Sequence, residues 1–393
     1  MKLPPELIDE IIGHLPPDDK ESLQNCSLVT KSWIRPSQKR LFEVVDIRQQ
    51  NLQSWLDTIS PTNLELLGHV RRLSYKEYPE GAVEPAHQAL RDHLPSLHQL
   101  RHFTLLFARI SSHPQQIGLF SAFQHTLSGI SLVGCGVTKN AFVTLVNYFP
   151  NLTSLYLYGL GYNRDDEPTP PLSRTLFKKL YITVWPMESL VLLDELSKSG
   201  MRFEEVDIAT MISRPTWPEV AKRVVDVFGG SARILRILGS SNGTYLLPRS
   251  LQNISDHISF LDGGRYLTLS HCQELREFEA FALYLNDAEL DLISSITSTK
   301  IEKIIFTHAP AFELSVGHTY WTRLDDALVK LAERSKRKLR LEVAFRCVNG
   351  VWDDKLDLRK YLPRFAEKGR MTVLGHEYEV LYSSDEVKGA GNH

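Results

Sequence analysis

Chemistry in this chain would have to come from its cysteines, its paired histidines, its glycine-containing turns or its acidic clusters. The four cysteines, Cys26, Cys135, Cys272 and Cys347, show no Cys-x-x-Cys spacing, so they predict neither a zinc site nor a disulfide framework. His98 and His102 stand four residues apart, the spacing that puts two imidazoles on one helix face as a metal pair. However, HQLRHF lacks the adjacent glutamate of a metalloprotease, and His102 falls inside an apolar, strand-like pattern. Gly134-Cys135-Gly136 and Gly159-Leu160-Gly161 lack the third glycine of a dinucleotide-binding turn, the chain has no P-loop, and Gly239-Ser240-Ser241-Asn242-Gly243, despite its Gly-x-Ser-x-Gly spacing, reads as a turn. Asp165-Asp166-Glu167 lies in the proline-rich stretch GYNRDDEPTPPL, which reads as a solvated surface loop. The expectation is a binding protein and not an enzyme, with no catalytic residues, no metal ligands and no cofactor.

The composition agrees. Over 393 residues the net charge is -2, with 42% hydrophobic and 23% charged residues, an ordinary globular balance. A protein that works on nucleic acid or an anionic membrane carries a basic excess, so neither partner is expected. The opening MKLPPELIDEII, with Pro4, Pro5 and acids at 6, 9 and 10, breaks the apolar run of a signal peptide. No apolar run approaches the ~18 residues of a membrane span. A cytoplasmic or nuclear chain is expected, in which the sequons at Asn25, Asn151, Asn242 and Asn253 are chance matches.

The elements that must position any site fall into two patterns. Residues 1–45 predict three short helices. Pro4 and Pro5 suit a first helical turn. Leu7, Ile8, Ile11, Ile12 and Leu15 recur at helical spacing until Pro16-Pro17. Asp18 with Glu21 forms a capping-box pattern opening the second helix, and a third helix surrounds Trp33. Three helices of this length bury little apolar surface, so the module is expected to lean on a partner.

From residue 70 a short strand recurs as apolar-x-x-apolar-x-apolar: Val70-Leu73-Tyr75, Leu100-Phe103-Leu105, Leu127-Ile130-Leu132, Leu152-Leu155-Leu157, Phe177-Leu180-Ile182 and Phe203-Val206-Ile208. Successive copies lie 30, 27, 25, 25 and 26 residues apart, within the range of leucine-rich repeats. Further copies stand at Ala232-Leu235-Ile237, Ile301-Ile304-Phe306 and around Leu339-Leu341. Cys135 and Cys272 are expected as buried thiols at the bend after a strand. Within 240–280, LTLSHC and Leu275-Phe278-Ala280 are only 11 residues apart, so both cannot be repeat strands. Amphipathic helices are predicted near 139–149, 188–198, 217–228, 286–296 and 320–335, giving strand–helix units with parallel strands.

The first 45 residues resemble an F-box. The resemblance rests on Leu3-Pro4-Pro5-Glu6-Leu7, Ile11-Ile12, Leu15, the run Cys26-Ser27-Leu28-Val29-Thr30-Lys31-Ser32-Trp33, and Leu41-Phe42. The remainder is similar to the C-terminal regions of the expanded F-box families of mushroom-type fungi, through LTLSHCQELREFEAF, ISSITSTKIEKIIF and RLDDALVKLAERSKRKLRLEVAF. This resemblance implies an α/β architecture. A three-helix F-box (1–45) is followed by a linker helix or first cap (46–69). A curved leucine-rich-repeat-like solenoid (70–382) then carries parallel strands on its concave face, and a polar tail follows (383–393). It also implies a substrate-receptor subunit of an SCF-type cullin–RING ubiquitin ligase, whose F-box binds a Skp-type adaptor, and through it a cullin, while the repeats hold a target protein.

Leu3, Pro4, Glu6, Ile11, Leu15, Leu28, Val29 and Trp33 are the expected adaptor-binding residues. Outward positions of the strands, among them His102, Lys179, Glu205, Asp207 and Arg236, are the expected target face, with Tyr156, Tyr158, Tyr181 and Trp185 as anchors, because aromatics dominate interface hot spots. Two other readings stay open: a repeat scaffold that binds a Skp-type adaptor without ubiquitination, and a hydrolase or transferase on an α/β sheet.

Overall fold

The structure is a computed structural model that describes residues 3–17, 19–58, 64–76, 97–110, 121–163, 170–183, 193–194, 196–210, 217–239, 267–281, 287–309, 318–345 and 358–374. The chain divides into two compact units, Met1–Phe177 and Lys178–His393. No helix among the described residues is long and apolar enough to cross a membrane.

The first unit opens with helices α1 (Pro5–His14), α2 (Lys20–Val29) and α3 (Lys31–Leu41). Pro4 precedes α1 and Pro5 occupies its first turn beside Glu6. There the missing N–H is no loss, and a carboxylate faces the positive end of the helix dipole. Leu15 leaves the helix in an extended conformation. The cap of α2 is Asp19, whose side chain accepts a hydrogen bond from Ser22 N at 3.1 Å. The cap thus falls one residue later than the Asp18/Glu21 pattern predicts, and Asp18 itself lies outside the described residues. Pro36 sits within α3.

A parallel sheet follows, built in the order β1 (Val44–Ile47), β2 (Arg72–Lys76), β3 (His102–Leu106), β5 (Gly129–Val133) and β7 (Ser154–Tyr158). Leu73, Phe103, Ile130 and Leu155 pair across the strands in one row, and Tyr75, Leu105, Leu132 and Leu157 in the next. The repeated apolar pair read from the sequence is therefore the register of the sheet. A side chain every second residue points to the same face, and one face carries the core. After β3, β5 and β7 the chain bends into β4 (Arg109–Ile110), β6 (Gly136–Thr138) and β8 (Gly161–Asn163), which form a second small parallel sheet. Cys135 is fully buried at one of these bends, its Sγ donating to Leu105 O at 3.3 Å. Thr138 then caps the helix Lys139–Tyr148 by accepting from Ala141 N at 3.2 Å.

The second unit repeats the plan with β9 (Leu176–Thr183), β10 (Arg202–Thr210), β11 (Ile234–Gly239), β12 (Glu277–Phe281), β13 (Lys303–Ala309), β14 (Arg340–Phe345) and β15 (Arg370–Leu374). From β10 to β15 every neighbouring pair is parallel. Val206, Leu235, Phe278, Ile304 and Leu341 form one row, and Ile208, Ile237, Ala280, Phe306 and Val343 the next. All ten are buried. The helices Trp217–Phe228, Asp287–Ser294 and His318–Arg334 alternate with the strands; Phe228 packs edge-on against Phe203 of β10 at 5.0 Å between ring centres.

One open choice is decided and two sequence expectations need correction. Of the two candidates in 240–280, LTLSHC is not a strand: residues 267–276 are turns and coil, and the repeat strand is β12. Cys272 is buried, yet it precedes its strand instead of following one. A Cβ on Gly229 would lie 2.7 Å from its Sγ, so Gly229 leaves the room that the thiol fills. The sheet also gains β1 and β15, strands that the repeat pattern did not include. Cys347 and most of the predicted 188–198 helix lie outside the described residues.

Candidate functional site

The N-terminal helices carry two apolar stripes where a free-standing module needs one. Ile8 and Ile12 of α1, four residues apart, face inward and form a core with Leu23 of α2. Leu15, Cys26, Trp33 and Leu41 pack against that core. Arg40 of α3 fastens the end of α1, donating from Nε to Leu15 O at 3.0 Å and from Nη1 to Glu43 Oε2 at 2.5 Å.

The second stripe faces water. Leu3, Leu7 and Ile11 follow one another at four-residue steps and are 46%, 44% and 43% exposed; Leu28 and Val29 at the end of α2 are 82% and 59% exposed. Ile34 of α3 is 38% exposed. Fully burying one such side chain is worth about 1.5–3 kcal/mol, so six left wet on one small module are the mark of a docking surface.

Of the predicted adaptor-binding residues, Leu3, Pro4, Glu6, Ile11, Leu28 and Val29 are exposed. Leu15 and Trp33 are partly buried against the module's own core. Leu7 and Ile34 are exposed apolar residues that the sequence reading did not place among the adaptor-binding ones. The four-residue step Leu3–Leu7–Ile11 was the available signal for Leu7, and Ile34 carried none beyond lying beside Trp33.

The sheet faces opposite the core hold the polar side chains. In the first unit, His102 Nε2 hydrogen-bonds Ser131 Oγ at 2.7 Å, and its ring meets Tyr156 edge-on at 5.1 Å. Burial, with a smaller push from Arg72, lowers the His102 pKa to about 4. An imidazole that weak is a poor general base at neutral pH. His98 lies in the turn before β3 and His102 opens the strand, so their spacing does not place two rings on one helix. Tyr156 and Tyr158 are half-buried on β7, and Tyr181 is half-buried on β9 of the second unit. Trp185 lies outside the described residues.

In the second unit this face is ionic. Arg236 of β11 reaches Asp207 Oδ1 at 3.0 Å, Glu279 Oε2 at 3.3 Å, Glu277 Oε1 at 3.4 Å and Glu205 Oε2 at 3.6 Å. Lys179 pairs with Asp207 at 2.6 Å, and Lys303 pairs with Glu342 at 2.8 Å and Glu277 at 4.0 Å. Arg340 stands 3.6 Å from Glu342. Burial lowers the Arg236 pKa, and Asp207, Glu277 and Glu279 together more than reverse that, so the guanidinium is held charged. Burial pushes the Glu279 carboxyl up to about 7, Arg236 pulling against it while Glu277 and Asp207 add to the rise. Sequence reading placed Lys179, Glu205, Asp207 and Arg236 on this face and missed Glu277, Glu279, Lys303 and Glu342. The alternation of charge and apolar in EFEAF and RLEVAF was the available signal.

The family comparison decides what the two-striped module is: the F-box domain model matches residues 1–35. This chain carries an F-box domain. F-box domains typically bind Skp-type adaptors and generally belong to substrate receptors of SCF-type ligases. The match covers α1, α2 and the first part of α3 of the F-box chain and ends before its sheets. No curated protein matches the chain.

Proposed function

We propose that the chain is a substrate-receptor subunit of an SCF-type cullin–RING ubiquitin ligase, an adaptor that holds a target and performs no chemistry itself. The observation that carries this reading is the exposed stripe Leu3–Leu7–Ile11 with Leu28, Val29 and Ile34 on an F-box domain. A Skp-type adaptor covers the stripe and a cullin joins through it. Behind the F-box, the repeating strand–helix units are read as leucine-rich-repeat-like and solenoidal, with the polar strand face presented to a target protein. The recurrence of one register across the strands of each unit supports that reading. The chain works in the cytoplasm or nucleus, where its adaptor and cullin are found.

The test is to co-purify the chain with a Skp-type adaptor and a cullin, then measure adaptor affinity for Leu7→Ser/Ile11→Ser. Loss of roughly 30- to 1,000-fold is expected, the scale of ~2–4 kcal/mol for hot-spot residues. Unchanged affinity would remove the docking assignment. A chain that binds the adaptor but never associates with a cullin would remove the ligase role.

A further inference from the structure

The polar face of the first unit carries charge of one sign. Among the described residues, the outward positions of β2, β3, β5 and β7 hold two cations, Arg72 and Lys76, and no carboxylate. His102 adds no charge near neutrality, because burial, with Arg72 adding to it, holds the ring neutral. The neighbouring strand β1 brings one carboxylate to this face, Asp46, and Arg48 occupies it at 2.7 and 2.8 Å. Arg72 itself is exposed and pairs with no carboxylate among the described residues.

At the carboxyl end of the same strands stands an aromatic ring that two equivalent bends do without. The bends after β5 and β7 use Gly134 and Gly159, and the bend after β3 uses Phe107, at a φ of 57°. L side chains rarely enter that region. The ring leans over Gly134, where a Cβ would meet it at 2.7 Å, and lies 5.2 Å from the Lys76 ammonium. It nevertheless stays 50% exposed, and neither glycine brings a side chain that could cover it. A strained backbone that keeps an apolar ring in water points to a binding site, where such strain gathers.

We propose that this face binds an extended acidic segment of the target protein, with a carboxylate on Arg72 and an apolar or aromatic side chain against Phe107. The proposal rests on the receptor role above and names the class of segment the receptor holds. Arg72 stands level with His102, five residues before Phe107 along β3. An extended segment would therefore space its acid and its apolar residue about five positions apart. Nucleic acid suits the face less well, because two cations neutralise too few phosphates to hold its backbone.

The test pans the full-length chain against a library of short random peptides and measures the enriched ones by fluorescence anisotropy. They should carry Asp or Glu with an apolar residue about five positions away, and should bind less tightly as salt is raised. Arg72→Gln should weaken them about 10-fold, and Arg72→Glu should turn the preference toward basic peptides. Phe107→Gly should also weaken them about 10-fold, yet leave the melting temperature within a few degrees, since glycine enters the left-handed bend freely. A purely structural ring would not separate binding from folding in this way. Lys330→Gln, at an exposed cation of the second unit, should change nothing. Four results overturn the proposal: no enriched peptides or none with an acidic bias, unchanged affinity in either Arg72→Gln or Phe107→Gly, tighter binding of a single-stranded oligonucleotide, or self-association of the chain that Arg72→Gln abolishes. Adaptor binding measured on the same preparations separates the two ideas. If it persists while the acidic preference is absent, the receptor reading stands and this inference falls. If it is absent while acidic peptides bind, the face stands and the receptor role falls.

Discussion

The Phe107 ring occupies the space that a side chain on Gly134 would need: a Cβ there would meet Phe107 Cδ1 and Cε1 at 2.7 Å. The two residues are equivalents in successive repeats. Phe107 follows β3, Gly134 follows β5 and Gly159 follows β7, with φ of 57°, 61° and 57°. The bend from the main sheet into the small one requires the left-handed backbone, which glycine enters freely and a phenylalanine enters at a cost of about 1–2 kcal/mol.

Gly134→Ala should therefore destabilise the first unit by about 1–3 kcal/mol, from backbone conformation and collision together. Phe107→Ala removes only the collision. In urea unfolding, the double variant should be more stable than the sum of the two single changes allows. Simple additivity would show that the ring is not what crowds Gly134.

Within the F-box, two substitutions should behave in opposite ways. Leu28→Ser/Val29→Ser alters side chains that already face water and should leave the melting of the free chain within about 0.5 kcal/mol while weakening adaptor binding. Ile12→Ala opens the core shared with Ile8 and Leu23 and should cost about 2–5 kcal/mol in folding. Thermal unfolding and adaptor titration on the same samples distinguish them.

The thiols should label in order of burial. Cys26 is half-buried, and Cys135 and Cys272 are buried. Burial, with a contribution from Asp226, also pushes the Cys272 pKa up to about 12, so little nucleophilic thiolate exists near neutrality. Mass spectrometry after brief alkylation of the native chain should find the modification at Cys26 before Cys135 or Cys272. Early labelling of Cys272 would contradict the packing against Gly229.

The carboxyl of Glu279 makes stability depend on pH in a direction opposite to that of most acids. Its folded pKa is about 7 against an ordinary 4.5, so between those values the folded state binds more protons than the unfolded one. Stability from this group is then fully present below pH 4.5 and falls as pH rises toward 7, by on the order of 2–3 kcal/mol. Arg236, Asp207, Glu277 and Lys303 surround it and set the balance. Glu279→Gln should flatten this slope in denaturant melts taken across that range. An unchanged slope would assign it elsewhere.

Asp325, buried on the helix His318–Arg334, accepts from the backbone N–H of Arg364 at 3.1 Å and of Phe365 at 2.8 Å. It thereby caps the short helix Pro363–Lys368 from another element. Asp325→Ala should cost about 1–3 kcal/mol and release β15 first. Hydrogen exchange should show faster loss of protection at Arg370–Leu374 than at β12 or β13.

The sheets were largely legible because a buried strand writes its register as an apolar pair, and the pairs Leu73/Tyr75 through Leu341/Val343 stand side by side in the fold. Strands β1 and β15 both lie at the repeat interval, Val45 pairing with Leu73 and Met371 with Leu341; β1 escaped because its Phe42-x-x-Val45-x-Ile47 runs on from the F-box pattern, and β15 because Lys368 stands where the repeat has its first apolar residue. The ionic face was half legible: Asp207 and Arg236 could be placed by alternation, but that Glu279 Oε1 would lack a donor depends on Ile305 standing beside it. That neighbour is set by pairing across 26 residues of chain, which no local pattern records. In the F-box, spacing identified the apolar residues but could not divide Ile8 and Ile12 from Leu7 and Ile11, since both pairs lie at helical intervals.

Only Phe42 and Glu43 separate the end of α3 from β1, and they are held from both sides. Glu43 takes the Arg40 guanidinium on its carboxylate, and its carbonyl accepts from Arg71 N at 3.0 Å and Arg72 N at 2.9 Å. The F-box is thus coupled to the first sheet by a clamp and not by a tether. A flexible linker lets the parts it joins sweep a volume, and their effective concentration for one another falls as it lengthens. A clamp removes that freedom, so the angle at which α3 feeds into β1 sets how the F-box and the first sheet are presented together.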